Sequence, residues 1–534
     1  MDTGTDLILD ADVLVIGGGV AGTSAALSAT AAGARVVLAD KGYCGTSGAA
    51  AAAGVGVWYV PDTPEARSHA MARREGMGGW LADQGWMERV LCETRTQVDA
   101  IAQRGHPFPV GDDGNQVRTS LQGPELMRRQ RKAVVRARAK ILDHSPALEL
   151  LRGPDGEVAG ATGVRRQAGG RWTVRAPAVV IATGGCAFLA GGMGCNVLTG
   201  DGHLLAAELG ADLSGMEFSN SYAISPTFSS VTKTAIYFGA TFLYEDGTKI
   251  EGAGSQKGRS IIARTLLTQP VYCVVDGWSP EQQAQLRLAQ PNFFLSFDRM
   301  GIDPFTQRFP VTLRLEGTIR GTGGLRIAGD DCSTTVPGLF AAGDVATREL
   351  ICGGFTGGGS HNSAWALSSG TWAGRGAAQW ASQAGGNSSS SEGAGAAGLR
   401  PTVGADPDLR AADITRAVQD EVHPYDRNLF RSGDVLAGSR ERLDGLWRTV
   451  RAGLRGADEP TAALRAREAA SMVAHARWMY AAASARPETR GMHRRVDHPE
   501  LDPAQQRRLL TGGLDEVWVA DDPVAPRPST PVPA

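Results

Sequence analysis

The chain has 534 residues, which is enough for about two or three domains and a large core. Its 54 Lys and Arg residues nearly balance 56 Asp and Glu residues, so the charge favours neither nucleic acid nor an anionic membrane as a partner. No segment has the pattern of a secretory signal or is apolar over a bilayer's length, and we expect no membrane span and a cytoplasmic location.

The first predicted elements surround a glycine loop at residues 17–22. An apolar strand precedes the loop, and a helix of small residues, 20–32, follows it. The glycines allow the backbone to approach a pyrophosphate, to which the helix N-terminus offers free N–H groups and partial positive charge. Asp40 ends a second strand at 35–39, about 20 residues on, and would accept hydrogen bonds from a ribose. The pattern predicts a dinucleotide site without choosing between NAD and FAD.

Three later segments favour FAD. A strand at 177–182 ends in Ala182-Thr183-Gly184-Gly185, and a strand at 338–342 ends in Gly343-Asp344. A carboxylate at that strand end would accept a hydrogen bond from a polyol hydroxyl, which the ribityl chain of FAD has and NAD lacks. Asn362 opens a helix whose positive end would face the N1/O2 edge of an isoalloxazine ring. A pyrophosphate loop, a ribityl acid and a helix end at the ring together predict FAD.

Changes in composition predict an α/β protein with several domains. We expect a Rossmann-like FAD-binding domain interrupted by an α+β capping domain that is richer in aromatic residues, Thr and Ser. A Gly/Ser-rich linker, a helical C-terminal domain and a Pro-rich disordered tail follow. The predicted boundaries are 1–213 and 321–384 for the FAD-binding domain, 214–320 for the capping domain, 385–408 for the linker, 409–515 for the helical domain and 516–534 for the tail.

The route of electrons beyond FAD stays open. The seven cysteines are scattered without C-x-x-C pairs or histidine partners, so we predict no metal site held by this chain. Electrons must then pass to O2, to a second substrate or to a partner protein. The basic segment Arg128 to Lys140 is either a solvated helix face or the docking site of a small acidic ferredoxin or other iron–sulfur protein.

In their order along the chain, these motifs resemble those of the flavoprotein subunits of the succinate dehydrogenase/fumarate reductase superfamily. That superfamily also contains L-aspartate oxidase and the adenylylsulfate reductase flavoprotein. The resemblance covers nearly the whole chain, with further matches at 196–212, 216–218 and 342–344. Residues 488–499 read E-T-R-G-M-H-R-R-V-D-H-P, close to the family's E-S-R-G-x-H-x-R-x-D-x-P. The resemblance implies an FAD-dependent oxidoreductase that transfers hydride between flavin N5 and a small organic molecule. The composition, rich in Ala, Gly and Arg, indicates a bacterial source.

The resemblance also implies which residues hold the cofactor. Some members attach FAD through a histidine that follows the second strand, but residues 44–50 contain none, so FAD is expected to bind non-covalently. The expected FAD-binding residues are Gly17, Gly19, Val20, Ala21, Gly22, Asp40, Lys41, Ser47, Gly48, Ala182, Thr183, Gly184, Asp201, Gly343, Asp344, Asn362 and Ser363.

The catalytic residues of the dicarboxylate enzymes are mostly missing. Two family histidines fall on Ser225 and Ile319, and one of two family arginines falls on a glycine within 356–363. The other arginine, the family's proton donor, matches Arg259. A dianionic substrate needs at least two cationic donors, each worth about 1.5–3 kcal/mol when desolvated. We therefore expect a substrate other than succinate, fumarate or aspartate.

Three residues remain as catalytic candidates, two of them with a structural alternative. Arg259 would donate a proton or hold an anion, or it forms an ion pair within the capping domain. Arg320, beside a Gly-Thr-Gly-Gly turn, would replace the missing histidine. His361 would act as acid or base, or it caps the flavin helix. Two other functions stay open: an adenylylsulfate-reductase-like flavosubunit that exchanges electrons with a ferredoxin-type partner, and a non-enzymatic electron-transfer subunit. Substrate identity, reaction direction and oligomeric state also stay open.

Overall fold

The computed structural model describes residues 5–52, 54–111, 113–232, 235–256, 258–356, 358–384, 391–457 and 459–527. In chain order the strands are β1 (Leu7–Asp10), β2 (Val13–Ile16), β3 (Val36–Ala39), β4 (Gly54–Gly56), β5 (Ser120–Gln122), β6 (Lys140–Leu142), β7 (Ala147–Arg152), β8 (Val158–Val164), β9 (Arg171–Arg175), β10 (Ala178–Ile181), β11 (Leu213–Ser214), β12 (Ser221–Pro226), β13 (Thr241–Leu243), β14 (Val271–Val274), β15 (Phe309–Gly317), β16 (Gly324–Leu325), β17 (Leu339–Ala341), β18 (Glu392–Gly393), β19 (Leu509–Gly512) and β20 (Trp518–Asp521).

The α-helices are α1 (Val20–Ala31), α2 (Pro64–Met77), α3 (Gln84–Gln103), α4 (Gly123–Arg136), α5 (Asp201–Ala207), α6 (Arg259–Leu266), α7 (Pro280–Ala289), α8 (Pro291–Met300), α9 (Glu349–Cys352), α10 (Gly358–Gln383), α11 (Ala411–Val422), α12 (Tyr425–Asn428), α13 (Gly433–Gly453) and α14 (Pro460–Ala485). Short 3-10 helices lie at Met216–Phe218, Ile236–Gly239, Gly343–Val345 and Pro503–Gln505. Among the described residues, no helix is both long and apolar enough to cross a membrane.

A parallel five-stranded sheet forms the centre of the FAD-binding domain, in the order β17-β10-β2-β3-β6. Every residue of β2, β3 and β10 is buried, as expected for strands covered on both faces. Parallel strands bring their carboxyl ends to one edge. The glycine loop, Asp40, the Ala182 loop and Asp344 therefore meet at that edge.

Helices α1 and α10 pack closely against each other beside the central sheet. Glycine is required at this contact, because a Cβ at Gly370 would lie 2.4 Å from the carbonyl oxygen of Ala21. A Cβ at Gly374 would lie 2.2 Å from the carbonyl oxygen of Ala25. The close approach holds the start of α10 near the glycine loop.

The capping domain contains an antiparallel sheet in the order β12-β15-β14-β13 and the helices α6, α7 and α8. Phe293, Phe297 and Phe309 pack edge to face or tilted in its core. The chain enters this domain after β11 and leaves it before β16, and these two strands pair antiparallel. The predicted insertion boundaries, 214 and 320, therefore lie close together in space.

The C-terminal part is built around α14, which is buried along most of its length and contacts α5, α11 and α13. It is not purely helical, because β19 and β20 continue the sheet that contains β11 and β16. The prediction of a disordered tail from residue 516 was wrong for Trp518–Asp521, which pairs with β19. The tail residues 528–534 lie outside the described residues.

The predicted flexible linker, 385–408, also differs from the structure where it is described. Residues 385–390 lie outside the described residues, but Glu392–Gly393 pairs with β7. The buried carboxylate of Glu208 then accepts the backbone N–H groups of Ala396 and Ala397, at 2.8 and 3.3 Å. The Gly/Ser-rich composition indicated a flexible segment, but composition cannot reveal a carboxylate that is distant in the chain and fixes this backbone.

Candidate functional site

A cavity of about 440 Å³ lies at the carboxyl edge of the central sheet. All residues predicted to bind FAD line it except Gly22. Its walls come from the glycine loop and β3 end, the Ala182 loop, the start of α5, the Asp344 turn and the first turn of α10. This juxtaposition of distant segments makes the cavity the candidate cofactor site.

The glycine loop brings its backbone against the neighbouring strand. Gly17 has φ +111°, and a Cβ there would lie 2.3 Å from the carbonyl oxygen of Ala182. A Cβ at Gly22 would lie 1.8 Å from the carbonyl oxygen of Gly17, so Gly22 allows α1 to pack on the loop rather than lining the cavity. Helix α1 begins without a side-chain cap, which leaves its first N–H groups available to an anion.

Asp40 organises the loops around the cavity. Its carboxylate accepts hydrogen bonds from the Gly18 N–H, from the Gly42 N–H at 2.7 Å and from the Ser47 hydroxyl at 2.6 Å. Its residue surface is only 4% exposed, yet it still borders the cavity. The carboxylate predicted to contact the ribose therefore also holds the glycine loop and the segment at 42–47 in place.

Lys41 borders the cavity, but the hydrogen bonds of its ammonium group go to protein oxygens. It donates to Thr199 Oγ1 at 3.2 Å, Asp201 Oδ2 at 2.7 Å and Glu468 Oε1 at 3.0 Å. Burial disfavours the charged form of Lys41, but the carboxylates of Asp201 and Glu468 outweigh this effect and raise the pKa of Lys41. An ammonium group has three N–H donors, so these partners saturate it and leave its aliphatic stem to face the cofactor.

Asp344 lies at the end of β17 and is held by Arg348. Arg348 Nη1 donates to Asp344 Oδ1 at 2.7 Å, and Nη2 donates to the Thr318 carbonyl oxygen at 2.6 Å. Burial raises the pKa of Asp344, while Arg348 and Arg320 oppose that rise. Arg348 is itself fully buried outside the cavity lining, so it positions both Asp344 and the loop that precedes Arg320.

Unpartnered polar atoms show that the cavity fits FAD. Thr183 Oγ1 and Asn362 Oδ1 are buried without a hydrogen-bond partner among the described residues, although both side chains belong to lining residues. With the open N-terminus of α1, they offer the hydrogen-bonding groups that a pyrophosphate, a ribityl chain and a ring edge require. The sequence did not reveal Pro146, Ala147 and Arg166, which also line the cavity, because they belong to no glycine or acid motif.

Arg320 is the candidate catalytic residue that lines the cavity. Its guanidinium group lies between Glu316, whose Oε2 is 3.8 Å from Arg320 Nε, and Gly359 at the start of α10. Glu316 raises the pKa of Arg320, and burial opposes this effect. Glu316 also accepts a hydrogen bond from the Thr232 hydroxyl at 2.7 Å, and sequence reasoning missed this buried carboxylate.

The other two catalytic candidates do not line the cavity. Arg259 donates to the Tyr222 carbonyl oxygen at 2.7 Å. Burial lowers the pKa of Arg259, Glu316 opposes that effect, and Arg320 and Arg494 add to it. The ring of His361 packs on Trp58 with a centroid distance of 4.4 Å, and His361 Nδ1 lies 3.2 Å from Ser360 Oγ.

The residues at the positions of the missing family ligands offer no imidazole or guanidinium group. The hydroxyl of Ser225 donates to the carbonyl oxygens of Pro226 and Ser229, at 3.1 and 2.8 Å. Ile319 is 1% exposed and packs in an apolar cluster, and it also lines the cavity without a charged or hydrogen-bonding side chain. Gly358 matches the family arginine, brings no side chain and does not line the cavity.

Metal binding finds no support in the described part of the chain. The seven cysteines are free thiols, and no group of three or more metal-ligating side chains comes together among the described residues. In the C-terminal motif, His493 belongs to a buried network. Its Nδ1 accepts a hydrogen bond from Arg431 Nη1 at 2.8 Å, and its Nε2 donates to the Arg486 carbonyl oxygen at 2.9 Å. That motif therefore fixes the C-terminal domain rather than the cavity.

Comparisons with known proteins match nearly the whole chain to flavoproteins. The family model described as FAD binding domain matches residues 12–364, and the model for the fumarate reductase flavoprotein C-terminus matches 419–520. L-aspartate oxidase of Streptomyces coelicolor is 28% identical over 562 aligned residues, covering 95% of this chain and 92% of that protein.

Two solved structures show the same fold. E. coli quinol fumarate reductase FrdA aligns with a TM-score of 0.83 at 22% identity, over 99% of this chain and 98% of that chain. Adenylylsulfate reductase from Archaeoglobus fulgidus aligns with a TM-score of 0.77 at 18% identity, again over 99% and 98%. The predicted α/β fold with capping and C-terminal helical domains is confirmed, and so is FAD as the cofactor.

Proposed function

We propose a reaction for this chain from the premise that it belongs to the succinate dehydrogenase/fumarate reductase flavoprotein superfamily. It is an FAD-dependent oxidoreductase. When bound, FAD supplies a hydride acceptor or donor at N5 of its ring. The second reactant we propose is a small organic molecule that carries at most one carboxylate, and not a C4 dicarboxylate.

The charge of the cavity lining carries this proposal. Lys41, Arg166 and Arg320 are the cationic side chains that line the cavity among the described residues. Lys41 is saturated by protein oxygens, and Arg166 lines the cavity together with Pro146 and Ala147, the residues that follow β6. We assign the substrate anion to Arg320, because it adjoins Ile319, whose carbonyl oxygen accepts a hydrogen bond from Asn362 at the start of α10. One guanidinium group matches one carboxylate, whereas a dianion would keep one charge unpaired at a high desolvation cost.

Arg320 would hold the substrate while its neighbours position it. Glu316 fixes one side of the guanidinium group, and Arg259 acts through Glu316 rather than by contact with the substrate. His361 remains our candidate for acid–base chemistry at the start of α10, where a change in its packing on Trp58 would expose its ring to the cavity.

We also propose that FAD is bound non-covalently. The cavity wall between Thr46 and Ala50 offers no histidine. Cys44, which shortly precedes this wall in the chain, is fully buried outside the lining, and burial raises its pKa to about 12. Acid precipitation should release all FAD into the supernatant. Flavin fluorescence that stays with the precipitated chain would contradict the proposal.

The substrate proposal is tested by Arg320→Gln in anaerobic stopped-flow experiments. A panel of monocarboxylates and dicarboxylates is screened for bleaching of oxidised flavin or reoxidation of reduced flavin. We expect an active monocarboxylate, for which Arg320→Gln lowers kcat/KM by about 10- to 150-fold without loss of FAD. Arg308→Gln, an exposed arginine of the same domain, is the matched control and should leave kcat/KM unchanged. Efficient turnover of succinate, fumarate or aspartate would refute the proposal.

A small iron–sulfur protein is our proposed electron partner. The exposed face of α4 carries Arg128, Lys132 and Arg136. From the same helix, Arg131 stacks 3.9 Å from the ring centroid of Tyr43, a lining residue, and donates to the Cys44 carbonyl oxygen at 2.6 Å. The basic face therefore adjoins a wall of the cofactor cavity, which favours it over other surfaces as a docking site.

A further inference from the structure

A second cavity, of about 160 Å³, lies beside β11, the start of α3 and the C-terminal segment at 522–527. Among the described residues, it shares no lining residue with the cofactor cavity. Its volume equals that of roughly five water molecules, which suits a tetrahedral oxyanion or a short carboxylate. Three arginines line it: Arg326, Arg508 and Arg527.

Arg508 is the unusual residue of this cavity. It is 3% exposed, and its Nε donates to the Leu81 carbonyl oxygen at 3.1 Å. Its Nη2 has no hydrogen-bond partner among the described residues, and no described carboxylate lies within 4 Å of its guanidinium group. A buried guanidinium group without a counterion is costly, so the site is prepared for an anion.

The carboxylates in the lining are already engaged by other arginines. Asp83 pairs with Arg527 at 2.6 Å, and Asp522 pairs with Arg326 at 3.0 Å. The remaining one, Asp330, is exposed and pairs at 2.9 Å with Arg89, which lies outside the lining. None of these three neutralises Arg508.

The acid behind the cavity wall does not neutralise Arg508 either. Glu349 accepts a hydrogen bond from the lining residue Ser214 at 2.5 Å. Burial, together with the charge of Glu217, raises the pKa of Glu349 to about 8, although Arg508 opposes this effect. No ion pair within 4 Å joins Glu349 to Arg508 among the described residues, so the Arg508 guanidinium group keeps its unpartnered Nη2.

We propose that this cavity binds a small oxyanion, of the phosphate, sulfate or short carboxylate class, through the guanidinium group of Arg508. The forked N–H groups of arginine match two oxygens of such an anion. The C-terminal segment forms one wall, since the Asp522 N–H donates to the Arg508 carbonyl oxygen at 2.9 Å and the Gln84 N–H donates to that of Arg527 at 3.2 Å. A bound anion would therefore hold residues 522–527 against the start of α3.

The test uses the FAD-loaded full chain and radiolabelled inorganic phosphate in equilibrium dialysis, with unlabelled sulfate and acetate as competitors. We expect one saturable site per chain, and Arg508→Gln should raise the Kd for phosphate by about tenfold or more. Arg507→Gln is the matched control, because Arg507 is the adjacent arginine and does not line the cavity. The competitor with the lower inhibition constant identifies the preferred anion within the class.

Hydrogen exchange keeps the proposal testable if Arg508→Gln does not fold. In the wild-type chain, phosphate should slow amide exchange of residues 522–527 and 84–86, and Arg508→Lys should reduce that protection. The proposal is overturned if phosphate, sulfate and acetate all fail to bind saturably to the wild-type chain. It is also overturned if the bound anion protects other segments instead, or if a folded Arg508→Gln protein binds as well as Arg507→Gln.

Discussion

Replacement of Asp40 by asparagine tests how the cofactor loops are held. The carboxylate accepts the Gly18 N–H through Oδ2, and the Gly42 N–H and Ser47 hydroxyl through Oδ1. The Asp40→Asn side chain would retain one oxygen, which can keep the two Oδ1 bonds, but its amide N–H would then face the Gly18 N–H. One charge-assisted bond is lost, at about 1.5–3 kcal/mol, so we expect FAD affinity to fall about 10- to 150-fold.

The assay is a fluorescence-quenching titration of the apo-protein with FAD. Asp10→Asn is the matched control, because the pair of Asp10 with Arg175 is nearly half exposed on both sides and lies away from the cavity. A Kd for Asp40→Asn within about threefold of the wild-type Kd would refute our reasoning on the loop. Hydrogen exchange without FAD separates the two roles of Asp40. Faster exchange at Gly18 and Gly42 supports loop organisation, whereas unchanged exchange leaves only a ribose contact.

Three further predictions rest on individual side chains. Gly22→Ala should lose most bound FAD, measured as the flavin-to-protein absorbance ratio, because its Cβ would lie 1.8 Å from a loop carbonyl oxygen. The folded chain keeps the proton of Glu349 up to about pH 8, whereas the unfolded chain loses it near 4.5, so this group makes the free energy of unfolding decrease as pH rises between those values. In urea unfolding at pH 6, 7 and 8, the free energy of unfolding of Glu349→Gln should fall less steeply with pH than that of the wild type, by up to about 1.4 kcal/mol per pH unit. An equal slope in both proteins would contradict the raised pKa of Glu349. Lys132→Glu combined with Arg136→Glu should slow flavin reduction by reduced ferredoxin but not photoreduction, while the exposed control Arg299→Glu should change neither rate.

The cofactor end of the site was predictable because its signals are local. The glycine loop, the Ala182 loop and Asp344 each follow an apolar strand, and parallel strands must place their ends at one edge. The lining by Pro146, Ala147 and Arg166 was not predictable in this way. Pro146 and Ala147 reach the cavity where the chain passes from β6 to β7, which belong to different sheets, and Arg166 reaches it after β8; no motif in their own sequence encodes this.

Charged residues were the least predictable, because sequence gives their number but not their partners. Arg131 was grouped with exposed cations of α4, yet it bonds Asp143 through both terminal nitrogens, at 2.9 and 2.8 Å. Arg259 matched a catalytic motif, yet its guanidinium group binds a backbone carbonyl. Glu316 lay in no motif, although burial beside Arg320 makes it part of the candidate site. Partners that no motif names decide each of these roles, whether they lie far away in the chain or, as for Glu316 and Arg320, four residues apart.

The described part of the C-terminal domain contributes no residue to the cavity lining, but it belongs to the frame of the cofactor site. Helix α14 supplies Glu468 to the ammonium group of Lys41, and its Arg467 pairs at 2.6 Å with Glu208 next to the end of α5. Breaking a buried pair of this kind costs about 3–5 kcal/mol, because the remaining charge is stranded. The walls that hold FAD are thus stabilised by a helix more than 400 residues away from the glycine loop. Since the same contacts hold Lys41 and Asp201 at the cavity edge, folding of the C-terminal domain and formation of the FAD site must be thermodynamically coupled.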